Sequence, residues 1–178
     1  MYSRYKMYRK FFSLLLIGAS LFLICFWTSA HIRINYTDSM LKGIYYTTDK
    51  GLSKGDIVVV CLPDSVAKLG LLRGYLMNGT CSNGSIPVLK RIIASDGDFV
   101  EVLEQGIRVN GVDINDSIIL TKDSQNRKLI SVLGCSFLLG ENEIWLFGEN
   151  SQKSWDSRYY GPIDIHQVTH VMLPIITW

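Results

Sequence analysis

One apolar run, residues 11–30, stands apart from everything after it. It has twenty residues without a charge, enough for a helix of about 30 Å, the depth of a bilayer core. Beyond it the apolar residues come in short alternating or β-branched groups. Gly43-Ile-Tyr-Tyr-Thr-Thr predicts one strand and residues 57–62 a second, buried strand closed by Pro63. Val66, Leu69, Leu72 and Tyr75 recur at helical spacing and predict one helix over 64–75. A Gly/Ser/Asn-rich loop follows over 78–85. Further strands are expected at 88–94, 99–103, 106–109, 118–120, 144–147 and 168–173, with Asn110-Gly111 as a hairpin turn. The expectation is one mainly β domain over 31–178. The stretch 104–140, which mixes hairpin signals with the polar run 121–128, is read as an elaboration of it.

Charge orients the apolar run. Arg4, Lys6, Arg9 and Lys10 precede it, which predicts a cytoplasmic segment 1–10, a single transmembrane anchor 11–30 and an external domain 31–178. A cleaved signal peptide is the alternative, with Thr28-Ser29-Ala30 as its cleavage site. The length of the run and Phe26-Trp27 near its end favour a retained anchor, and either reading exports the remainder. Of eighteen basic residues these four lie before the run, so the other fourteen face sixteen acids. Such a domain lacks the concentrated basic surface of a nucleic-acid partner.

Cys25 falls within the run, while Cys61, Cys81 and Cys135 belong to a compartment that permits disulfides. Cys81 and Cys135 both sit in Gly/Ser-rich connections and are the expected pair, with Cys61 buried at a strand end. No metal-ligand spacing is present, and neither a metal nor a cofactor is expected.

The candidate chemistry lies in three places. Ser39 sits in Tyr36-Thr37-Asp38-Ser39-Met40. Lys90 sits inside Pro87-Val88-Leu89-Lys90-Arg91-Ile92-Ile93, a strand otherwise fit for burial. A buried lysine loses its charge more readily and becomes a base able to take a serine proton. Alternation sends Lys90 and Arg91 to opposite faces without saying which is buried. The third place runs from Gly148 through Glu149 and Ser154 to Asp156-Ser157-Arg158. There Asp156 is suited to accept a bond from Lys90 or to stabilise the lysine's charge, and Arg158 to brace Asp156 by a two-pronged ion pair. His31, His166 and His170 read as surface histidines, and HExxH, GxSxG and phosphate-loop patterns are absent.

Ser39-Met40, Gly55-Asp56-Ile57-Val58, Lys90-Arg91-Ile92 with Ala94 and Gly97-Asp98, and Asp156-Ser157-Arg158 with Gly161-Pro162 stand in one order. That ordered set resembles the signal peptidase I family (S26), and within it the conjugative-transfer branch known as TraF. The resemblance implies a β-rich serine endopeptidase in which Ser39 is the nucleophile, Lys90 the general base and Asp156 a third member. It also implies Thr37 as an oxyanion-hole hydroxyl and Ser154 as a positioning group for the lysine. Asp38 and Met40, on either side of the serine, are the substrate-contact candidates. Leu41 stands where the conjugative branch often has proline, though Gly43 and Tyr45 keep its pattern. Asp38 and Lys42 replace the Gly and Pro of ordinary signal peptidases.

The substrate so implied is an exported precursor, a pilin propeptide in the conjugative branch, released as a linear product or joined into a ring. The implied place is the bacterial inner membrane, in contact with lipid and with conjugation or type IV secretion proteins, with the catalytic domain in the periplasm. Two alternatives accompany this reading: a general type I signal peptidase, and a non-enzymatic structural subunit of a secretion machine. Only eight residues separate Ala30 from Ser39. Their reach of about 30 Å at most keeps the serine near the lipid surface.

Overall fold

A computed structural model describes the backbone of residues 2–178 and the side chains of residues 10–26 and 31–178. The chain divides into two units, residues 1–33 and 34–178. The first is essentially one helix, α1 (Tyr2–His31). Its apolar side chains between Phe11 and Phe26 are exposed. Among the described residues no helix is long and apolar enough to cross a membrane. Positions 27–30 of the expected anchor, and Arg4, Lys6 and Arg9 before it, lie outside the described side chains.

The second unit is mainly β. In chain order come β1 (Ile32–Asn35), which begins at the unit boundary, β2 (Gly43–Thr48), β3 (Ile57–Val60), α2 (Asp64–Arg73), β4 (Val88–Ala94), β5 (Phe99–Leu103), β6 (Gly106–Val109) and β7 (Val112–Asp113). They are followed by β8 (Ser136–Leu138), β9 (Glu143–Phe147), α3 (Ser157–Tyr160), β10 (Ile163–Asp164) and β11 (Val168–Thr177). Seven strands form one sheet in the order β1-β2-β11-β3-β4-β9-β10, and four form a second, β7-β6-β5-β8. The stretch 104–140 supplies most of the second sheet, and its Ile107, Ile119, Leu129 and Leu139 enter the same core as Val58, Ile92 and Leu146. Asn110 and Gly111, at φ 50° and 80°, make the turn between β6 and β7, the paired positive φ that a two-residue hairpin requires.

Alternation decides the faces of the large sheet. Val58 and Val60 in β3 and Val88 and Ile92 in β4 point into the main core. Ile57 and Val59 point the other way, into a smaller cluster with Met40, Tyr45 and Met172.

Four expectations need correction. The helix ends at Arg73, where Gly74 at φ 73° turns the chain and the Tyr75 N–H closes onto the Gly70 carbonyl. Its buried face runs through Ala67 and Gly70, so Leu72, expected inward, is 80% exposed. Residues 118–120 form no strand, because side chains take their backbone groups. The Ile118 carbonyl accepts from Arg158 Nη1 and the Leu120 N–H donates to the Tyr159 hydroxyl. The last strand continues through Pro174 to Thr177. Its pairing with β3 stops at Met172, and the register against β2 shifts between Pro174 and Ile176, which accommodates a residue with no N–H to give the ladder.

The disulfide joins Cys61 to Cys81, not Cys81 to Cys135. The loop after α2 folds back against the end of β3, where Asn83 Nδ2 donates to the Leu62 carbonyl at 2.8 Å. This brings the two Cα atoms to 5.7 Å, while Cys135 is an exposed free thiol.

Candidate active site

β4 places Lys90 opposite Val58 on β3, on the face that turns into the main core, and leaves it 3% exposed. Arg91 takes the other face. It forks onto Glu149, Nε to Oε2 at 2.5 Å and Nη2 to Oε1 at 2.8 Å, and donates to the Gly55 carbonyl. The question periodicity left open is settled by this pairing: the cation with a carboxylate partner stays near solvent. The one buried has neither hydrogen bond nor ion pair among the described residues. Burial pushes the Lys90 ammonium down to about 8. The charge of Asp156 opposes that change and the charge of Arg158 adds to it.

Asp156 and Arg158 are fully buried. Asp156 caps α3, and Arg158 grips it with two prongs, Nε to Oδ1 and Nη2 to Oδ2, each at 2.8 Å. The Gly148 N–H donates to Asp156 Oδ2 at 2.9 Å. The carboxylate thus acts on Lys90 through space rather than by a hydrogen bond. Arg158 also stacks over the Phe147 ring at 4.9 Å and holds the carbonyls of Ile118 and Ser151. Four of its five N–H groups are therefore satisfied despite burial.

Residues 148–150 join the three places picked out of the sequence. Phe147 pairs with Arg91, so the next residue, Gly148, comes level with Lys90. Two residues on, the Asn150 N–H donates to the Ser39 carbonyl at 3.2 Å, and Asn150 Nδ2 donates to the Asp38 carbonyl at 3.2 Å. A Cβ on Gly148 would fall on Ser154 Oγ and within 3.0 Å of the Ser39 carbonyl oxygen. Glycine is therefore required by close approach. Ser154, 4% exposed, keeps a buried hydroxyl without a hydrogen-bond partner among the described residues, directly over the backbone level with Lys90.

The serine turn is held by a residue that the pattern of motifs did not bring out. Asn35, buried at the end of β1, donates from Nδ2 to the carbonyls of Thr37, Met40 and Leu41. Its Oδ1 accepts from the N–H and hydroxyl of Thr37. Its spacing to Thr37 was the available signal, since Asn commonly bonds backbone two residues on. Thr37 Oγ1 lies 3.5 Å from Ser39 Oγ. Asp38 is exposed and pairs with Lys42 at 2.8 Å. Met40 departs from its expected role. Its side chain is 1% exposed and packed with Tyr45 and Met172, so it anchors the turn from below and offers no surface to a substrate.

An apolar edge adjoins this turn. Trp178 N–H donates to the Lys42 carbonyl and Thr177 pairs with Gly43. Ile34, Tyr36, Leu41, Ile175, Ile176 and Trp178 are all exposed. His166 and His170, also exposed, engage only Asp164 and Thr169 with their rings among the described residues.

Residues 5–176 match the family described as signal peptidase, peptidase S26. The chain is 36% identical to a plasmid transfer protein TraF of Escherichia coli over 155 residues, 84% of this chain and 85% of that protein. It is 31% identical to a probable conjugal transfer protein TraF of Sinorhizobium fredii over 149 residues, 82% of this chain and 77% of that one. Among solved structures, a signal peptidase I from Enterococcus faecalis V583 aligns with a TM-score of 0.42 at 20% identity, covering 71% of this chain and 100% of that one.

Proposed function

Because the chain belongs to the signal peptidase S26 family, and so is a peptidase by kinship, we propose that it is a membrane-anchored serine endopeptidase whose Ser39 and Lys90 cleave exported precursors. The observation that carries this reading is Lys90, a buried amine brought down to about 8 and level with the short stretch that holds the Ser39 backbone. As the neutral amine it takes the Ser39 proton while Oγ attacks the scissile carbonyl. The Ser39 N–H and the Thr37 hydroxyl, which now donates to Asn35, supply the oxyanion donors. Such a donor is worth roughly 100-fold in rate or more. The lysine then returns its proton to the leaving amine, and water or a peptide amine resolves the ester on Ser39, giving a linear or a cyclic product. Ser154, with its uncommitted buried hydroxyl, positions the lysine.

The plasmid-transfer and conjugal-transfer names of the relatives favour conjugation proteins as partners, and the resemblance to the conjugative branch makes a pilin precursor the proposed substrate. We place residues 11–30 in the inner membrane and residues 31–178 in the periplasm. The exposed apolar edge beside Ser39 supports a nucleophile working at the lipid surface on precursor still held by its own apolar segment. The test is cleavage of the precursor by purified full-length protein. Ser39→Ala and Lys90→Ala are each expected to abolish the product, and unchanged cleavage in both sinks the proposal. Product mass separates linear from cyclic peptide by one water.

A further inference from the structure

A cavity of about 400 Å³ opens beside the loop that follows β9 and meets the site above only at Ser154. Its walls come from Arg73 at the end of α2 and Tyr75 just beyond it, from the polar run 121–128, and from Lys153, Ser154, Trp155 and Tyr159. The lining is aromatic. Trp155 stacks on Tyr159 with ring centroids 5.6 Å apart and meets Tyr75 at 5.1 Å, while Arg127 lies over the Tyr75 ring.

Its charge is one-sided. Arg73, Lys122, Arg127 and Lys153 stand against a single acid, Asp123. That carboxylate is spent on the wall itself: it accepts from the Tyr75 hydroxyl and Arg127 Nε at 2.6 Å each, and from the N–H groups of Gln125 and Arg127. The ammonium groups of Lys122 and Lys153 are exposed and have no counter-ion among the described residues. A concave site of this size, with aromatic walls and uncommitted cations, selects an anionic group carried on a flat or apolar support.

We propose that the cavity is an exosite for an acidic segment of the precursor polypeptide, with Lys122 and Lys153 as its carboxylate contacts. The proposal rests on the peptidase reading only in naming that polypeptide as substrate. A peptide fits better than a lipid headgroup, because none of the exposed apolar residues at the Ser39 edge lines the cavity. Lys153 also lies only three residues after Asn150. A segment seated here therefore rests on the same loop that holds the Ser39 carbonyl.

The experiment uses full-length Ser39→Ala protein in neutral detergent, titrated calorimetrically with a blocked hexaglutamate peptide, its hexaglutamine counterpart and phosphatidylglycerol vesicles. Hexaglutamate is expected to bind and hexaglutamine not. The double reversal Lys122→Glu with Lys153→Glu is expected to weaken binding about tenfold or more, the sum of two exposed charge contacts. Equal binding of both peptides, or affinity unmoved by the double reversal, overturns the proposal. So does vesicle binding lost on reversal without any hexaglutamate binding, which assigns the face to lipid. Because this protein cannot acylate, the outcome is readable whether or not the Ser39 and Lys90 variants bear out the peptidase.

Discussion

Lys90 is held in a state that suits chemistry and costs stability. Its folded value of about 8 lies below the 10.5 of a free lysine, so the unfolded chain binds more protons between those values. Stability therefore rises as pH climbs from about 8 towards 10.5, and the full cost, on the order of 3 kcal/mol, is present at and below neutrality. Lys90→Met is expected to raise the denaturation midpoint at pH 7, with the gain shrinking as pH rises from about 8 towards 10.5. Chemical denaturation across that range checks it. With Lys90 as the proposed base, activity should follow the same titration. The rate is expected to rise with pH through about 8 as the amine loses its proton, and Asp156→Asn should move that midpoint to lower pH, because Asp156 is what favours the charged form. A pH profile of kcat/KM in both proteins decides the matter, and an unmoved or raised midpoint contradicts the role given to Asp156.

At the level of elements, the turn after β9 carries the arrangement. β4 and β9 are antiparallel neighbours, and their register sets Gly148 beside Lys90. The chain then leaves the sheet, ties Asn150 to the serine turn and returns at Asp156 to cap α3. Three segments remote in sequence thus share one short piece of backbone. Gly148→Ala tests this directly. Its methyl group meets Ser154 Oγ and the Ser39 carbonyl, so kcat is expected to fall about 100-fold, as a misplacement of roughly 1 Å produces. Thermal stability should drop by about 1–3 kcal/mol, the usual cost of overpacking. Kinetics and melting of the same purified variant separate the two effects.

For the molecule as a whole, the disulfide fastens the connection between β3 and β4 to the sheet that carries Lys90. Cys61 and Cys81 are 20 residues apart, and closing a loop of this size contributes about 3 kcal/mol, chiefly by restricting the unfolded chain. Cys81→Ser should therefore lower the melting temperature under oxidising conditions by several degrees, as should reduction of the parent protein. Cys135→Ser should leave it unchanged. Equal effects of the two substitutions would contradict the pairing.

What the sequence determined by itself was local. Alternation and β-branching mark β4 and β9 nearly to the residue, Asn110-Gly111 marks its hairpin, and the residue types of Ser39, Lys90, Asp156 and Arg158 limit the chemistry open to them. The two-pronged grip of Arg158 on Asp156 also follows from two positions in one turn. Tertiary structure decided whatever depends on partners far along the chain. It chose Lys90 over Arg91 for burial, because Glu149 comes from the turn after β9 to pair with Arg91. It turned Met40 into core and paired Cys61 with Cys81. It gave residues 118–120 to the side chains of Arg158 and Tyr159 instead of to a ladder. It also made Asn35 the clamp of the serine turn. The physical reason is common to all of these: a residue's periodicity is written in its neighbours, but its burial and its hydrogen-bond partners are set by strand register and by loops that only the folded chain brings together.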